Sequence, residues 1–88
     1  MSQPQAQVWF LTTTLNFPHD RDEWTKQEPF TGDPKRWVYR NCAKLSHKQQ
    51  EELIRMKKVG WKDHNGVWIT VQILPHKVPT KWGTAMPV

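Results

Sequence analysis

Six tryptophans are the feature that most constrains how this chain can fold. They are spread along 88 residues rather than clustered, at Trp9, Trp24, Trp37, Trp61, Trp68 and Trp82. Each indole can bury roughly 150–250 Å², so six can remove on the order of 1,200 Å² from water. A chain with 36% hydrophobic residues needs that contribution, because a single core is barely sufficient at this length. The fold and the function therefore depend on which indoles form the core and which form a recognition surface.

The charge of the chain is concentrated in its middle. The net charge is +5, and residues 35–62 alone carry nine basic and two acidic residues. Residues 1–34 are net negative, with five acidic and two basic residues. Such asymmetry indicates an acidic partner, and nucleic acid is the commonest one. The alternative is a soluble basic protein whose charges only face water.

Residues 8–16 have the composition of a β-strand, because β-branched and aromatic side chains dominate. Alternation places four of them on one face, Trp9, Leu11, Thr13 and Leu15. This face is the more apolar one, so we expect it to meet the core. Pro18 cannot donate to a ladder, and the strand is expected to end before it.

The next part of the chain is predicted to be mostly irregular. The spacing of Asp20 and Glu23 is that of a capping box and predicts a short helical turn near Trp24. Two prolines and a glycine predict a loop over residues 28–34. Residues 36–40 contain aromatic and β-branched side chains, which favour a short second strand.

The main helix is predicted over residues 47–58. Ser46 and Gln49 have the spacing of a capping box, and the basic residues gather towards the C-terminal end, where the helix dipole favours them. Gly60 is expected to end the helix as a C′ residue. Its apolar stripe is narrow, so this helix is expected to cover a core and to present a basic outer face.

Asn65-Gly66 lies between two apolar runs and is a strong hairpin signal. It predicts strands over residues 60–63 and 67–74. In the second strand the β-branched residues alternate with Trp68, so we expect them to face inwards and Trp68 to lie on the other face. Pro75 is expected to end this strand.

These elements predict an α+β fold that is rich in loops. The small antiparallel sheet has strands near 8–16, 36–40, 60–63 and 67–74, and one main helix, 47–58, packs on it. Residues 46–74 also match, in outline, the second half of a winged helix, whose recognition helix enters the major groove. The upstream half offers a strand and a loop instead of two helices, so the small sheet is the preferred interpretation.

The chain is expected to form one globular domain over residues 8–75, with a flexible tail over 1–7 and an extended, proline-containing tail over 76–88. No apolar run approaches the ~20 residues that span a bilayer, so no membrane contact is expected. The first residues lack the features of a signal peptide, and the lone Cys42 excludes an internal disulfide. We therefore expect a cytoplasmic protein.

The candidate binding residues are basic or aromatic side chains of the central segment, with two further tryptophans. They are Lys35, Arg36, Trp37, Arg40, Lys44, Lys48, Arg55, Lys57, Lys58, Trp61, Lys62, Trp68 and Trp82. Lysine and arginine supply phosphate contacts, and exposed rings stack on unpaired bases. Alternatively, the same rings form the core and the lysines are a solvated face.

Metal binding and catalysis find little support in the sequence. The histidines and Cys42 are scattered, and no pair has the spacing of a structural zinc site. A lone cysteine is far more often a small buried hydrophobe than a nucleophile. We therefore expect no cofactor, no metal and no enzymatic activity.

Two functions fit these observations. The first is a non-enzymatic module that binds DNA or RNA through the basic, tryptophan-containing segment 35–62. The second is an adaptor or inhibitor of the kind encoded by phages and mobile elements. Such a protein would bind an acidic protein surface through exposed tryptophan and arginine and its extended C-terminal segment. The sequence leaves the oligomeric state open.

Overall fold

The computed structural model describes residues 7–19 and 23–79 and confirms the α+β class. The described elements are β1 (Val8–Asn16), β2 (Glu23–Thr31), α1 (Pro34–Asn41), α2 (His47–Met56), β3 (Lys58–Lys62) and β4 (Trp68–Leu74). The strands form one antiparallel sheet in the order β2-β1-β4-β3. Two hairpins, β1–β2 and β3–β4, are thus joined through the central β1–β4 pair. Most of both predicted tails, with Trp82, lies outside the described residues.

One face of the sheet carries the core, and we call it the covered face. The register places Leu11 opposite Ile73, and Val71 opposite Val59. With side chains from the two helices, these strands form a buried cluster of Phe30, Val38, Cys42, Leu53, Val59, Val71 and Ile73. Trp9 and Leu11 pack against this cluster, as predicted for their face of β1. The bounds of β1 also agree with the prediction.

The second strand corrects the prediction of a helical turn near Trp24 and a loop over residues 28–34. Strand β2 runs through Pro29 and pairs with β1 along its whole length. Proline is tolerated there because β2 is an edge strand, and one side of its backbone has no ladder to join. Polar residues occupy both faces of β2, so its own alternation is weak. The pairing with β1 determines its conformation.

Helix α1 corrects the strand predicted over residues 36–40. Asp33 is the N-cap, and its carboxylate accepts a hydrogen bond from the Lys35 N–H at 3.2 Å. Pro34 follows as the first helical residue, where its missing N–H costs nothing. The aromatic and β-branched composition favours a strand only weakly. The cap and the burial of Val38 outweigh it.

Helix α2 begins where predicted, but it ends earlier. The Ser46–Gln49 capping box is present, with hydrogen bonds of 3.2 and 2.9 Å in the two directions. The helix ends at Met56 because Lys57 adopts the left-handed conformation at φ 61°. Gly60 lies in β3, within the strand predicted over residues 60–63, and does not act as the predicted C′ residue. The helix therefore passes into the edge strand within two residues.

The hairpin between β3 and β4 is confirmed, although the strands are 58–62 and 68–74 rather than 60–63 and 67–74. The Asp63 carboxylate accepts hydrogen bonds from the N–H groups of Asn65 and Val67, at 2.8 and 2.9 Å. Gly66 supplies the positive φ of 84°. None of the helices in the described ranges is long and apolar enough to cross a membrane.

Candidate nucleic-acid interface

The second face of the sheet carries no helix, and we call it the open face. Alternation along the paired strands gives it a polar surface, which includes Thr14, Asn16, Thr25, Thr70 and Gln72. Short polar side chains in register make this part of the face rich in hydrogen-bonding groups. This is the opposite of the covered face, where the same strands supply the core.

Trp68 is the most exposed tryptophan among the described residues, with 52% of its surface accessible. It stands on the open face, as the alternation of β4 predicts. Its partner in the ladder is Lys62 on β3, and its partner on the other side is Asn16 on β1. Directly opposed side chains have Cβ atoms about 4.5–5.5 Å apart. The indole is therefore flanked by a cation and by an amide.

A second lysine lies on the same face of β3, four residues before Lys62. Lys58 is opposite Gln72, and the two lysines are separated by about 13 Å at the rise of a strand. Both are exposed. Between them stands Gly60, opposite Thr70, so no side chain fills the space that separates the two cations. The arrangement is a shallow gap beside the indole, bordered by two positive charges.

The remainder of the open face is partly closed by the chain itself. After β4, residues 75–79 turn back over the sheet, and Val78 meets Gln27 of β2. In the orientation that satisfies both ends of the Gln27 amide, its Nε2 donates to the Val78 carbonyl and its Oε1 accepts from the Val78 N–H, both at 3.0 Å. Thr12 beneath them is only 3% exposed. The accessible part of this face is therefore the half formed by β3, β4 and the Asn16 end of β1.

The charge of the open face is mainly positive in this accessible half. Lys58 and Lys62 are its cations, and Glu23 on β2 is the one carboxylate among the described strand residues of this face. Glu23 pairs with Asn16, and the two strands β1 and β4 separate it from Lys62. Neither lysine has an ion-pair partner in the part of the chain that the structure describes. Both ammonium groups are available to a bound anion.

The other predicted cations lie on the opposite side of the molecule. They belong to α1, to the connection after it and to α2, and all are exposed: Lys35, Arg36, Arg40, Lys44, Lys48 and Arg55. The structure therefore divides the continuous basic segment 35–62 between two surfaces. Lys57 lies at their junction, with its ammonium 5.9 Å from the centre of the Trp9 ring.

Two of the predicted aromatic binding residues pack against the core cluster. Trp37 stacks on Phe30, with ring centroids 4.1 Å apart and an angle of 11° between the planes. Trp61 stands on the covered face opposite Ile69 and packs against the core cluster. Both are half-buried. Of the predicted tryptophans near the basic segment, Trp68 alone is presented to solvent in the described ranges.

Three features of this site were missed in the sequence. The sequence indicates Gly60 both as a helix end and as the first residue of a strand, and Thr70 and Asn16 carry no signal of their own. Their role follows from the register of three strands, which places them around Trp68. The alternation of β4 was the available signal, because it already placed Thr70 and Trp68 on one face.

The remaining chemistry of the described residues is limited. No three side chains of the type His, Cys, Asp or Glu come together there in a way that could hold a metal ion. Cys42 is buried, and burial, followed by the negative charge of Glu28, raises the pKa of its thiol above the ordinary value of 9.0. A thiol with a raised pKa is a poor nucleophile at neutral pH.

The chain matches no known protein family, and neither a curated protein nor a solved structure is significantly similar to it.

Proposed function

We propose that the protein binds single-stranded nucleic acid on the accessible half of the open face. The observation that carries the proposal is Trp68, 52% exposed and directly opposite Lys62 in the ladder. A base that stacks on the indole places its phosphate near a lysine ammonium, and Lys58 lies within reach of a neighbouring phosphate. Stacking on a protein aromatic is worth ~1–3 kcal/mol per base, and it tolerates every base.

Single strands suit this surface better than a duplex does. The bases of a duplex are already stacked on each other, so they cannot stack on Trp68 without being unpaired. The hydroxyl and amide groups of Asn16, Thr70 and Gln72 can meet base edges, as open sheets of other single-strand binders do. We infer little sequence preference, because stacking and phosphate contacts carry little base information.

The first test is the binding of labelled oligothymidine, oligouridine and a DNA duplex, measured by fluorescence anisotropy at low salt. Trp68→Ala should weaken single-strand binding by about 5- to 150-fold, the equivalent of ~1–3 kcal/mol. Met56→Ala is the matched control, because Met56 is also a large exposed side chain, at 63%, but lies on α2. Unchanged affinity in Trp68→Ala, or no binding by the unaltered protein, contradicts the proposal.

A protein partner is the second candidate, and the outer edge of β3 favours it. Within the described residues this edge pairs with no strand, and a groove of about 350 Å³ beside it is lined by Glu52, Met56, Lys58, Val59 and Gly60. A second copy of β3 is a poor occupant, because antiparallel self-pairing about Gly60 sets Lys58 against Lys62 of the other copy. We propose as its occupant an extended peptide with acidic and apolar residues in alternation.

The two candidates respond differently to substitution. A peptide added to β3 places an apolar side chain in the groove, so Met56→Glu should abolish its binding, while Trp68→Ala should leave it intact. Isothermal titration of a synthetic peptide in which glutamate alternates with leucine measures this directly. Equal binding to both variants, or none to the unaltered protein, excludes the edge as a peptide site.

A further inference from the structure

The outer side of the helical layer is a second basic surface, distinct from the open face. We call it the helical surface and define it by five exposed cations of α1, of the connection after it and of the start of α2: Lys35, Arg36, Arg40, Lys44 and Lys48. No acidic residue occurs between Asp33 and Glu51 in the sequence. The contact of 3.0 Å between His47 Nε2 and Glu51 Oε1 involves none of these five.

An aromatic pair lies among these cations. Tyr39 of α1 is 41% exposed, and its ring stacks on His47 of α2, with centroids 6.2 Å apart and 17° between the planes. Tyr39 is exposed because Val38 and Trp37 occupy the side of α1 that packs on the sheet. The helical surface therefore offers both charge and flat rings to a phosphate chain.

The two basic surfaces face opposite directions. The helices lie on the covered face, and Val38 and Leu53 between helices and sheet are both 0% exposed. Trp68 and Lys62 project from the other face of the same sheet. A short oligonucleotide held at Trp68 occupies one side of the sheet and does not reach Arg36 or Arg40 on the other. Each surface can therefore bind a different nucleic-acid strand.

We propose that the protein bridges two nucleic-acid strands and accelerates the annealing of complementary sequences. This inference rests on the proposed single-strand binding at Trp68. It adds that the helical surface binds the phosphate backbone of a second strand, without reading its sequence. Two polyanions repel each other, and cations on both sides of one small protein lower that repulsion. Holding both strands on one protein also raises their effective concentration.

The test separates the two surfaces with charge-matched variants. Arg36→Gln/Arg40→Gln removes two cations of the helical surface, and Lys26→Gln/Lys77→Gln removes two exposed cations that are not candidate binding residues. Both variants have the same net charge, two below the +5 of the unaltered chain. Lys26 lies on the edge strand β2 and Lys77 in the segment after β4, so neither belongs to the helical surface. All four residues are exposed, so circular dichroism should show unchanged folding.

Annealing is followed by energy transfer between two labelled complementary 20-mers, and binding by the anisotropy of a labelled eight-nucleotide strand. The unaltered protein and the control should accelerate annealing by roughly tenfold or more. Arg36→Gln/Arg40→Gln should lose most of this acceleration while its affinity for the short strand changes by less than about twofold, because Trp68 is intact. That combination supports bridging.

The contrary outcomes identify which proposal fails. If Arg36→Gln/Arg40→Gln anneals as fast as the control, or if the unaltered protein binds the short strand without accelerating annealing, bridging is wrong and single-strand binding stands. If the unaltered protein does not bind the short strand at low salt, the proposed function itself is wrong. A helical surface that instead binds an acidic protein gives the first of these results.

Discussion

At the scale of single residues, the tryptophans within residues 7–19 and 23–79 divide into packing residues and one exposed side chain, Trp68. Trp37 of α1 stacks on Phe30 of β2, whereas about half of the surface of Trp68 is exposed to solvent. Truncating a packed aromatic costs ~3–5 kcal/mol, while an exposed substitution stays within ~0.5 kcal/mol. Trp37→Ala should therefore lower the free energy of unfolding by about 3 kcal/mol, and Trp68→Ala should hardly change it, in urea titrations followed by circular dichroism. Similar losses in both variants would place Trp68 in the core.

Cys42 gives a pH-dependent contribution to stability. Burial first, and Glu28 second, raise the pKa of its thiol in the folded state above 9.0, the value that applies to the unfolded chain. The unfolded state therefore releases the thiol proton at lower pH than the folded state. The resulting stabilisation is complete below pH 9 and is lost as the pH rises through the folded pKa.

The measurement for Cys42 is a comparison of the unaltered protein with Cys42→Ala in urea at several pH values from 7 to 11. The difference between their free energies of unfolding should be constant up to about pH 8 and should shrink above pH 9. Lysine and tyrosine titrate similarly in both proteins and cancel in the difference. A difference that is flat over the whole range would show that the thiol is not desolvated.

At the scale of elements, the two glycines of the β3–β4 hairpin should respond oppositely to alanine. Gly66 has φ 84°, where an L-residue is strained by ~1–2 kcal/mol, so Gly66→Ala should be destabilising by that amount. Gly60 has ordinary strand geometry, and an added Cβ would lie 3.5 Å from the Ile69 carbonyl oxygen, an ordinary contact. Gly60→Ala should therefore raise stability by about 0.5 kcal/mol, measured by urea unfolding. A loss of stability in Gly60→Ala would contradict this prediction.

The elements that the sequence predicted well are those with a local cause. The composition and alternation of β1, the capping box at Ser46 and the turn at Gly66 each act within a few residues. Strand β2 has no such cause, because its pairing partner lies in β1 and its polar residues occupy both faces. Pro29 counted against a strand, although an edge position tolerates it.

Helix α1 has a local start signal in the sequence, although the composition of the residues that follow it predicts a strand. Asp33 followed by Pro34 is a helix start, but the β-branched and aromatic residues after it favoured a strand. The candidate site could be predicted only in part for a related reason. The sequence placed Trp68 on the outer face of its strand, whereas the meeting of Trp68 with Lys62 and Asn16 depends on the register of three strands.

At the scale of the whole molecule, the single basic segment of the sequence becomes two surfaces because the chain crosses the sheet edge at Lys57. Within this segment, the residues before Lys57 lie in the helical layer, and those after it alternate between the covered and open faces. The left-handed conformation of Lys57 produces the reversal within one residue. Charge distribution along the sequence is therefore a poor guide to charge distribution on this molecule.

The salt dependence of binding tests the division between charge and stacking. For single strands, log K falls with log salt at a slope of about −0.7 for each phosphate neutralised. Lys58→Gln/Lys62→Gln should therefore reduce the magnitude of the slope by about 1.4 when an eight-nucleotide strand is titrated from 25 to 300 mM salt. Trp68→Ala should lower affinity equally at every salt concentration and leave the slope unchanged, because a stacked ring releases no counterions.

A third variant tests where the oligonucleotide binds. Arg36→Gln/Arg40→Gln also removes two charges, but from the helical surface, and should leave the slope for a short strand within about 0.3 of the unaltered value. If this variant flattens the slope as much as Lys58→Gln/Lys62→Gln does, the affinity for the oligonucleotide depends only on the total charge of the protein, or the oligonucleotide binds across the helices. If only the lysine pair flattens the slope, the two cations beside Trp68 contact the phosphates, and the open face of the sheet is the binding surface.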